Sequence, residues 1–184
     1  NLRFVLEKRF GWMRRYLEKL GEYVSAKSPV QVVVVRPTAV YGPRDRFDPL
    51  AGHVIPALIR RAAEREDPFV VWGTGDEERD FLHVRDFARG TVDALDKLAG
   101  FTAINIGTGT SVSIRALVQE VLAAAGHDSA RLRFDPSKPV TIPVRRVKVD
   151  RARELLGFTP RIPLAEGLRE TWAWYRENPV EGSS

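Results

Sequence analysis

The chain has 184 residues, 43% hydrophobic and 29% charged, with a formal net charge of +5. That length suits one ordinary domain with a sizeable core. It has no Cys and three His, which argues against a disulfide scaffold, a Cys-based metal site or a His cluster, so no metal is expected. No apolar run reaches the roughly 18 residues of a membrane span, and NLRFVLEKRF is too charged for a signal peptide, so the cytoplasm is the expected compartment.

Helical spacing of Met13, Tyr16, Leu17, Leu20 and Val24 predicts a first helix from about Val5 to Lys27, stopped by Pro29. VQVVVVRP does not alternate, so it reads as a strand buried on both faces, as in a parallel sheet. YGPRDRFDP is turn-rich. A helix fits His53 to Glu64, a strand PFVVW, a loop GTGDEERD and a short strand FLHV. Asp86 is the expected cap of a helix running to Leu98. AINI is a further strand, turning at GTGT. Ser113 caps a helix ending near Ala125, with Gly126 as its stop. RLRF reads as a strand, and Asp135 to Val144 as irregular. Asp150 is the expected cap of RARELLG, and Leu164 to Glu177 is the last helix. Strands alternating with helices predict an α/β fold with a parallel sheet. A buried strand so near the start needs neighbours, so VVVV presents an apolar edge that a missing preceding domain or a partner must cover.

WGTGDEER and NIGTGTSVS are Gly-rich, but neither completes G-x-G-x-x-G, because Glu78 and Val112 occupy the third places. Both read as tight turns rather than phosphate cradles. Arg79 offers a planar fork suited to phosphate, and an ion pair with Glu77, Glu78 or Asp80 fits its spacing equally. His53 opens a helix, where anions are favoured, or simply sits at the surface. Trp72 and Phe81 suit stacking on a base or sugar, with core packing the stronger expectation. Between Arg131 and Arg153 eight Lys or Arg meet two Asp. This is a solvated basic face or an anion site. No helix-turn-helix or aromatic platform supports nucleic acid.

RPTAVYGPRD, HVIPALIRRA, VVWGTGDEERDFLHVRDFARG, NIGTGTSVSIRALVQEV and RARELLGFTPRIPLAEGLRETWAWYREN stand in an order that resembles the C-terminal half of extended short-chain dehydrogenases/reductases, the NAD-dependent epimerase/dehydratase family. VWGTG, RDFLHV and SKP are most similar to the GDP-L-fucose synthase branch. The resemblance covers nearly the whole chain. It implies a partial Rossmann-like parallel sheet joined to a small α/β substrate-binding domain, spanning residues 1–184, with the Gly-rich NAD(P)-binding half absent. NAD or NADP would serve the complete enzyme, with none held tightly by this chain alone. The implied partners are a GDP- or UDP-linked sugar and either a second copy or the missing half, with no nucleic acid and no membrane.

Residue roles follow from the same resemblance. Pro37, Thr38, Ala39 and Val40 match the segment along the nicotinamide, where many relatives carry Asn at the place of Ala39. His53 matches a cofactor-side residue. Arg61, Trp72 and Arg79 match substrate contacts, with Arg79 on the diphosphate. Lys138 lies in the matching basic loop, which here reads KPVTIP rather than KPDGTP. The family's Tyr-x-x-x-Lys pair falls on Phe10 and Arg14. Phe has no proton to relay, and Arg does not reproduce the compact ammonium of Lys. Tyr23 and Lys27 keep the spacing but stand at the far end of the helix, where they read as a packing Tyr beside a surface Lys. The expected function is therefore that of a truncated or split nucleotide-sugar epimerase, dehydratase or reductase without hydride transfer of its own. The alternative is a non-catalytic module that binds a nucleotide sugar or a partner.

Overall fold

The computed structural model describes residues 2–48, 53–138 and 142–179, with side chains described from residue 11 onward. In chain order the elements are α1 (Leu2–Lys27), β1 (Val32–Pro37), β2 (Ala39–Tyr41), α2 (Val54–Ala63), β3 (Phe69–Trp72), β4 (Glu78–Arg79), β5 (Phe81–His83), α3 (Val84–Lys97), β6 (Phe101–Ile106), β7 (Val112–Ser113), α4 (Ile114–Ala124), β8 (Leu132–Asp135), β9 (Val144–Arg145), α5 (Asp150–Leu156) and α6 (Leu164–Glu177). Three two-stranded sheets are parallel: β1 with β6, β2 with β5, and β3 with β8. A small three-stranded sheet sets β4 between an antiparallel β7 and a parallel β9. It forms inside segments expected to be loop and irregular chain. Such two-residue strands leave no periodic signal.

β5 divides the interior. Successive strand residues point to opposite faces, so Phe81 joins one core and Leu82 the other. The first core gathers Ile55 and Ile59 of α2, Phe69 of β3, Leu117 and Val121 of α4, and Leu168 of α6. The second gathers Ala94 of α3, Ile104 and Ile106 of β6, Leu156 of α5 and Phe158. Each fully buried aliphatic or aromatic side chain here contributes about 1.5–3 kcal/mol.

α1 lies on the β1–β6 pair. Gly21 allows the approach, because a Cβ there would stand 2.9 Å from Val32 Cγ1. Arg36 Nε and Nη2 grip the Glu18 carboxylate at 2.8 and 2.6 Å, tying the helix to the end of β1. Val32 to Arg36 are half-buried rather than buried on both faces. The reason is that β6 is the only neighbour of β1 among the described residues. The predicted apolar stripe of α1 splits: Val24 is half-buried, while Met13, Tyr16, Leu17 and Leu20 are 52%, 66%, 57% and 44% exposed.

Two cap assignments change. α3 begins at Val84, and its cap is His83, whose side chain accepts from the Arg85 amide. Asp86 lies in the first turn, where its carboxylate serves other partners. Asp150 is the first residue of α5 and Val149 precedes it, with no side-chain cap. Ser113 caps α4 as expected, accepting from the Ala116 amide at 3.2 Å.

Candidate functional site

Asp80 organises the carboxyl ends of β1 and β6. Its side chain is buried. Oδ1 accepts from the Thr108 amide at 3.1 Å and the Thr108 hydroxyl at 2.7 Å, and Oδ2 from the Gly109 amide at 3.1 Å. Its carbonyl accepts from the Thr38 hydroxyl at 2.8 Å and the Ala39 amide at 3.2 Å. Its own amide donates to the Arg145 carbonyl. One residue thus joins the Thr38–Ala39 segment, the GTGT turn and β9.

Glu77, also buried, does the same for the other Gly-rich turn. Its carboxylate accepts from the Thr74 and Gly75 amides at 3.2 and 3.1 Å. Both turns are therefore concavities of backbone N–H groups already filled by a carboxylate of the chain itself. A phosphate at either turn would have to displace that carboxylate. Gly75 is required at its place: φ is +86°, and a Cβ would meet Phe134 Cε1 at 2.4 Å. We expect Gly75→Ala to cost about 2–3 kcal/mol through positive-φ strain and overpacking, read from the urea midpoint.

Between the small sheet and the segment Pro160 to Leu164 lies a cleft of about 250 Å³, lined by Arg79, Phe81, Thr108, Thr110 and Val112 on one side and by Arg161, Ile162 and Leu164 on the other. Arg79 Nη1 donates to the Glu78 and Pro143 carbonyls at 2.7 and 3.3 Å. Burial, then the neighbouring Arg145, push the Arg79 pKa below the usual guanidinium value. The wall is fixed by Asp86, whose Oδ2 accepts from the Arg161 and Ile162 amides at 2.8 and 2.9 Å. Its Oδ1 takes Arg89 Nη2 at 2.6 Å. Burial would raise the Asp86 pKa, but Arg89 and the two amides outweigh it and hold the carboxyl below its ordinary range.

None of the other predicted site residues lines this cleft. Pro37 to Val40 run along the end of β1 into β2, with the Thr38 hydroxyl committed to Asp80. Trp72 ends β3 and is 59% exposed, contrary to the core packing expected of it. It pairs with Asp135, and Lys138 follows three residues on in an exposed turn. Arg61 is turned inward: it bonds Glu66 Oε2 and the Val70 carbonyl and lies 4.5 Å from the Phe69 ring centre. His53 is exposed, precedes α2 without a side-chain cap bond, and approaches Asp45 at 3.4 Å. Arg14 is exposed on α1, as is Tyr23 near its end. The side chain of Phe10 lies outside the described residues. Sequence reasoning missed Glu77, Asp80 and Asp86 as organisers. Their only local signal is an acidic residue beside a Gly-rich turn or in a first helical turn.

Parallel strand pairs carrying Gly-rich turns at their carboxyl ends define a Rossmann-like α/β protein. The chain belongs to the NAD dependent epimerase/dehydratase family, whose profile matches residues 4–107. It is 40% identical over 148 residues to a probable GDP-L-fucose synthase 1 of Oryza sativa subsp. japonica, covering 78% of this chain and 44% of that protein. Among solved structures it is similar to a GDP-L-fucose synthetase from Naegleria fowleri, with a TM-score of 0.85 and 25% identity, over 94% of this chain and 56% of that one. It is also similar to a UDP-glucose 4-epimerase of Thermotoga maritima solved with UDP-glucose, with a TM-score of 0.75 and 26% identity, over 89% and 52%. The chain spans about half the length of the curated relatives it matches. Among the described residues no helix is long and apolar enough to cross a membrane, and no group of His, Asp or Glu is placed to hold a metal.

Proposed function

We propose that this chain is the sugar-nucleotide-gripping, C-terminal portion of an extended short-chain dehydrogenase/reductase, acting beside a Gly-rich half that holds NAD or NADP. The Arg79 cleft carries the reading: a partly desolvated guanidinium, anchored on two carbonyls and facing a cleft, suits the diphosphate of a GDP- or UDP-linked sugar. The exposed Trp72 supplies a stacking face at the end of β3, with Lys138 on the same end. Both Gly-rich turns have their amides taken by Glu77 and Asp80, so the described residues do not fit a dinucleotide pyrophosphate. What they offer the cofactor is the Thr38–Ala39 surface. Calorimetry against GDP-, UDP-, dTDP- and CDP-sugars tests binding, and a flat response to all four would rule it out. Trp72→Ala should weaken the preferred ligand about tenfold.

The same reading separates binding from chemistry. Phe10 has no hydroxyl to relay a proton as a sugar hydroxyl is oxidised or a carbonyl reduced. Arg14 keeps the charge but not the geometry of the Lys that would hold the ribose. The purified chain should therefore show no NAD(P)-dependent turnover of a GDP- or UDP-sugar, and measurable turnover would overturn this. The exposed face of α1, with Tyr16 and Leu17, supports association through that helix, either as a homodimer or with the other half. A single monomeric species in sedimentation at micromolar concentration would count against self-association.

A further inference from the structure

We propose that His83 and Glu170 form a proton-operated latch: a neutral His83 keeps the Pro160 to Leu164 wall of the cleft closed, and its protonation releases that wall. The latch is independent of what the cleft binds.

The wall hangs on the junction of β5 and α3. Asp86, in the first turn of α3, takes the Arg161 and Ile162 amides on Oδ2. Arg85, one residue earlier, pairs with Glu170 of α6. The Tyr41 hydroxyl donates to the Leu164 carbonyl at 3.4 Å. α6 packs closely at Gly167, where a Cβ would collide with Tyr41 Oη and His83 Cδ2. These contacts converge on one side chain, His83.

His83 is buried and edge-on to the Tyr41 ring, with centroids 5.4 Å apart. Nδ1 caps α3 by accepting from the Arg85 amide at 3.4 Å. A neutral ring that accepts at Nδ1 carries its proton on Nε2. Nε2 is buried without a hydrogen-bond partner, 3.8 Å from Glu170 Oε2. A buried donor short of its acceptor is poised rather than satisfied.

A proton on Nδ1 turns the cap acceptor into a donor facing the Arg85 amide, so the first turn of α3 loses its cap. The charged ring also draws Glu170, which Arg85 already holds, and two cations then share one carboxylate. That turn presents Arg85 and Asp86 to the wall, so loosening it frees Glu170, Arg161 and Ile162 together. The other groups around the ring do not compensate. Tyr41 stays neutral, because burial pushes its hydroxyl above the usual phenol range. Arg85 opposes the new charge, and Asp86 and Glu166 favour it less than Glu170 does. Asp86 is already engaged by Arg89 and the two wall amides. A local opening of this kind needs less free energy than global unfolding.

Amide hydrogen exchange of the full chain between pH 8 and 5, corrected for the intrinsic effect of pH, tests the latch above the ordinary carboxylate range. The Arg85, Arg161 and Ile162 amides should lose protection about tenfold across that range, the equivalent of one helix cap. The Leu117 and Val121 amides of α4 should keep theirs. His83→Asn retains a cap acceptor that takes up no proton, so its wall should stay equally protected throughout. Glu170→Gln removes a charge that favours the protonated ring, so the loss should set in at lower pH. Wall amides equally protected at both ends of the range overturn the proposal. So does an equal loss in His83→Asn, an onset unmoved by Glu170→Gln, or a loss that spreads evenly to α4.

Discussion

Asp80→Asn should lower the stability of the chain by about 3 kcal/mol and its melting midpoint by about 10 °C. The carboxylate accepts three hydrogen bonds from Thr108 and Gly109 in a buried position. An amide keeps one oxygen and turns the other acceptor into a donor. The NH2 then faces either the Gly109 amide or the Thr108 pair, and a buried donor is left without a partner. Charge-assisted bonds are about twice as strong as neutral ones, so the exchange loses strength even where geometry survives. Asp96→Asn is the control: Asp96 is exposed on α3, and the change should stay within about 0.5 kcal/mol. Urea unfolding of both variants reads the difference. An Asp80→Asn chain as stable as the Asp96→Asn chain would remove Asp80 as organiser. Its second consequence concerns function, because Thr38 and Ala39 hang on the Asp80 carbonyl and the cleft-lining Thr108 on its carboxylate.

Acid should destabilise the chain in two steps, and the second large effect lies there. His83 is fully buried. Burial lowers its pKa, while Glu170, at 3.8 Å from Nε2, works in the opposite direction. Arg85 beside it disfavours the charge, and Asp86 and Glu166 favour it more weakly. A folded pKa below the unfolded value of about 6.5 means the unfolded chain binds the proton first. Stability is then full above pH about 6.5 and falls as pH drops from there toward the folded pKa. Protonation also ends the cap, since Nδ1 accepts from the Arg85 amide only while neutral. Asp86 follows at lower pH. Its folded pKa lies below the unfolded value of about 3.9, so its contribution is present above that value and is lost as pH falls through the folded pKa. His83→Asn keeps a cap acceptor and removes the first step while leaving the second. Asp86→Asn removes the second and costs about 2 kcal/mol at neutral pH through the lost Arg89 and amide bonds. Melting midpoints between pH 8 and 3 separate the two. A His83→Asn profile parallel to that of the parent chain would exclude His83 as the first titrating group.

Much of the fold is legible locally. The Val-rich run at β1 has nothing polar to show water until Arg36, and Pro29 and Pro37 bound it from either side. Ser113 announces its helix because a hydroxyl just ahead of an apolar periodic run can take a free amide. The β5 strand is short, but its two apolar residues suffice to serve two cores. The α1 stripe was legible as a pattern and not as a contact. Periodicity shows which residues share a face. It does not show whether that face meets this chain or another.

The site was legible in a different measure. Arg79 stands out because a guanidinium at the mouth of a strand has a chemistry of its own. Arg61 shows the opposite outcome: its place in the order of motifs suggests a ligand contact, yet Glu66 and the Val70 carbonyl hold it inside. For Trp72 the stronger sequence expectation is core packing, because large aromatics usually pack inside, yet it stands exposed at the end of a strand.

The sequence by itself determined the α/β alternation, the family and the guanidinium of Arg79 at the mouth of a strand. These rest on local pattern, on residue chemistry and on the order of motifs along the chain. Only the tertiary structure decided that a carboxylate of the chain fills each Gly-rich turn, that Asp86 fixes one wall of the cleft, and that Arg161 lines that cleft with Arg79. The physical reason is distance along the chain. Asp80 meets Thr108 across 28 residues and Asp86 meets Arg161 across 75. The carboxylate that fills a turn, and the arginine that joins a site, are chosen by how the strands stack rather than by what stands beside them.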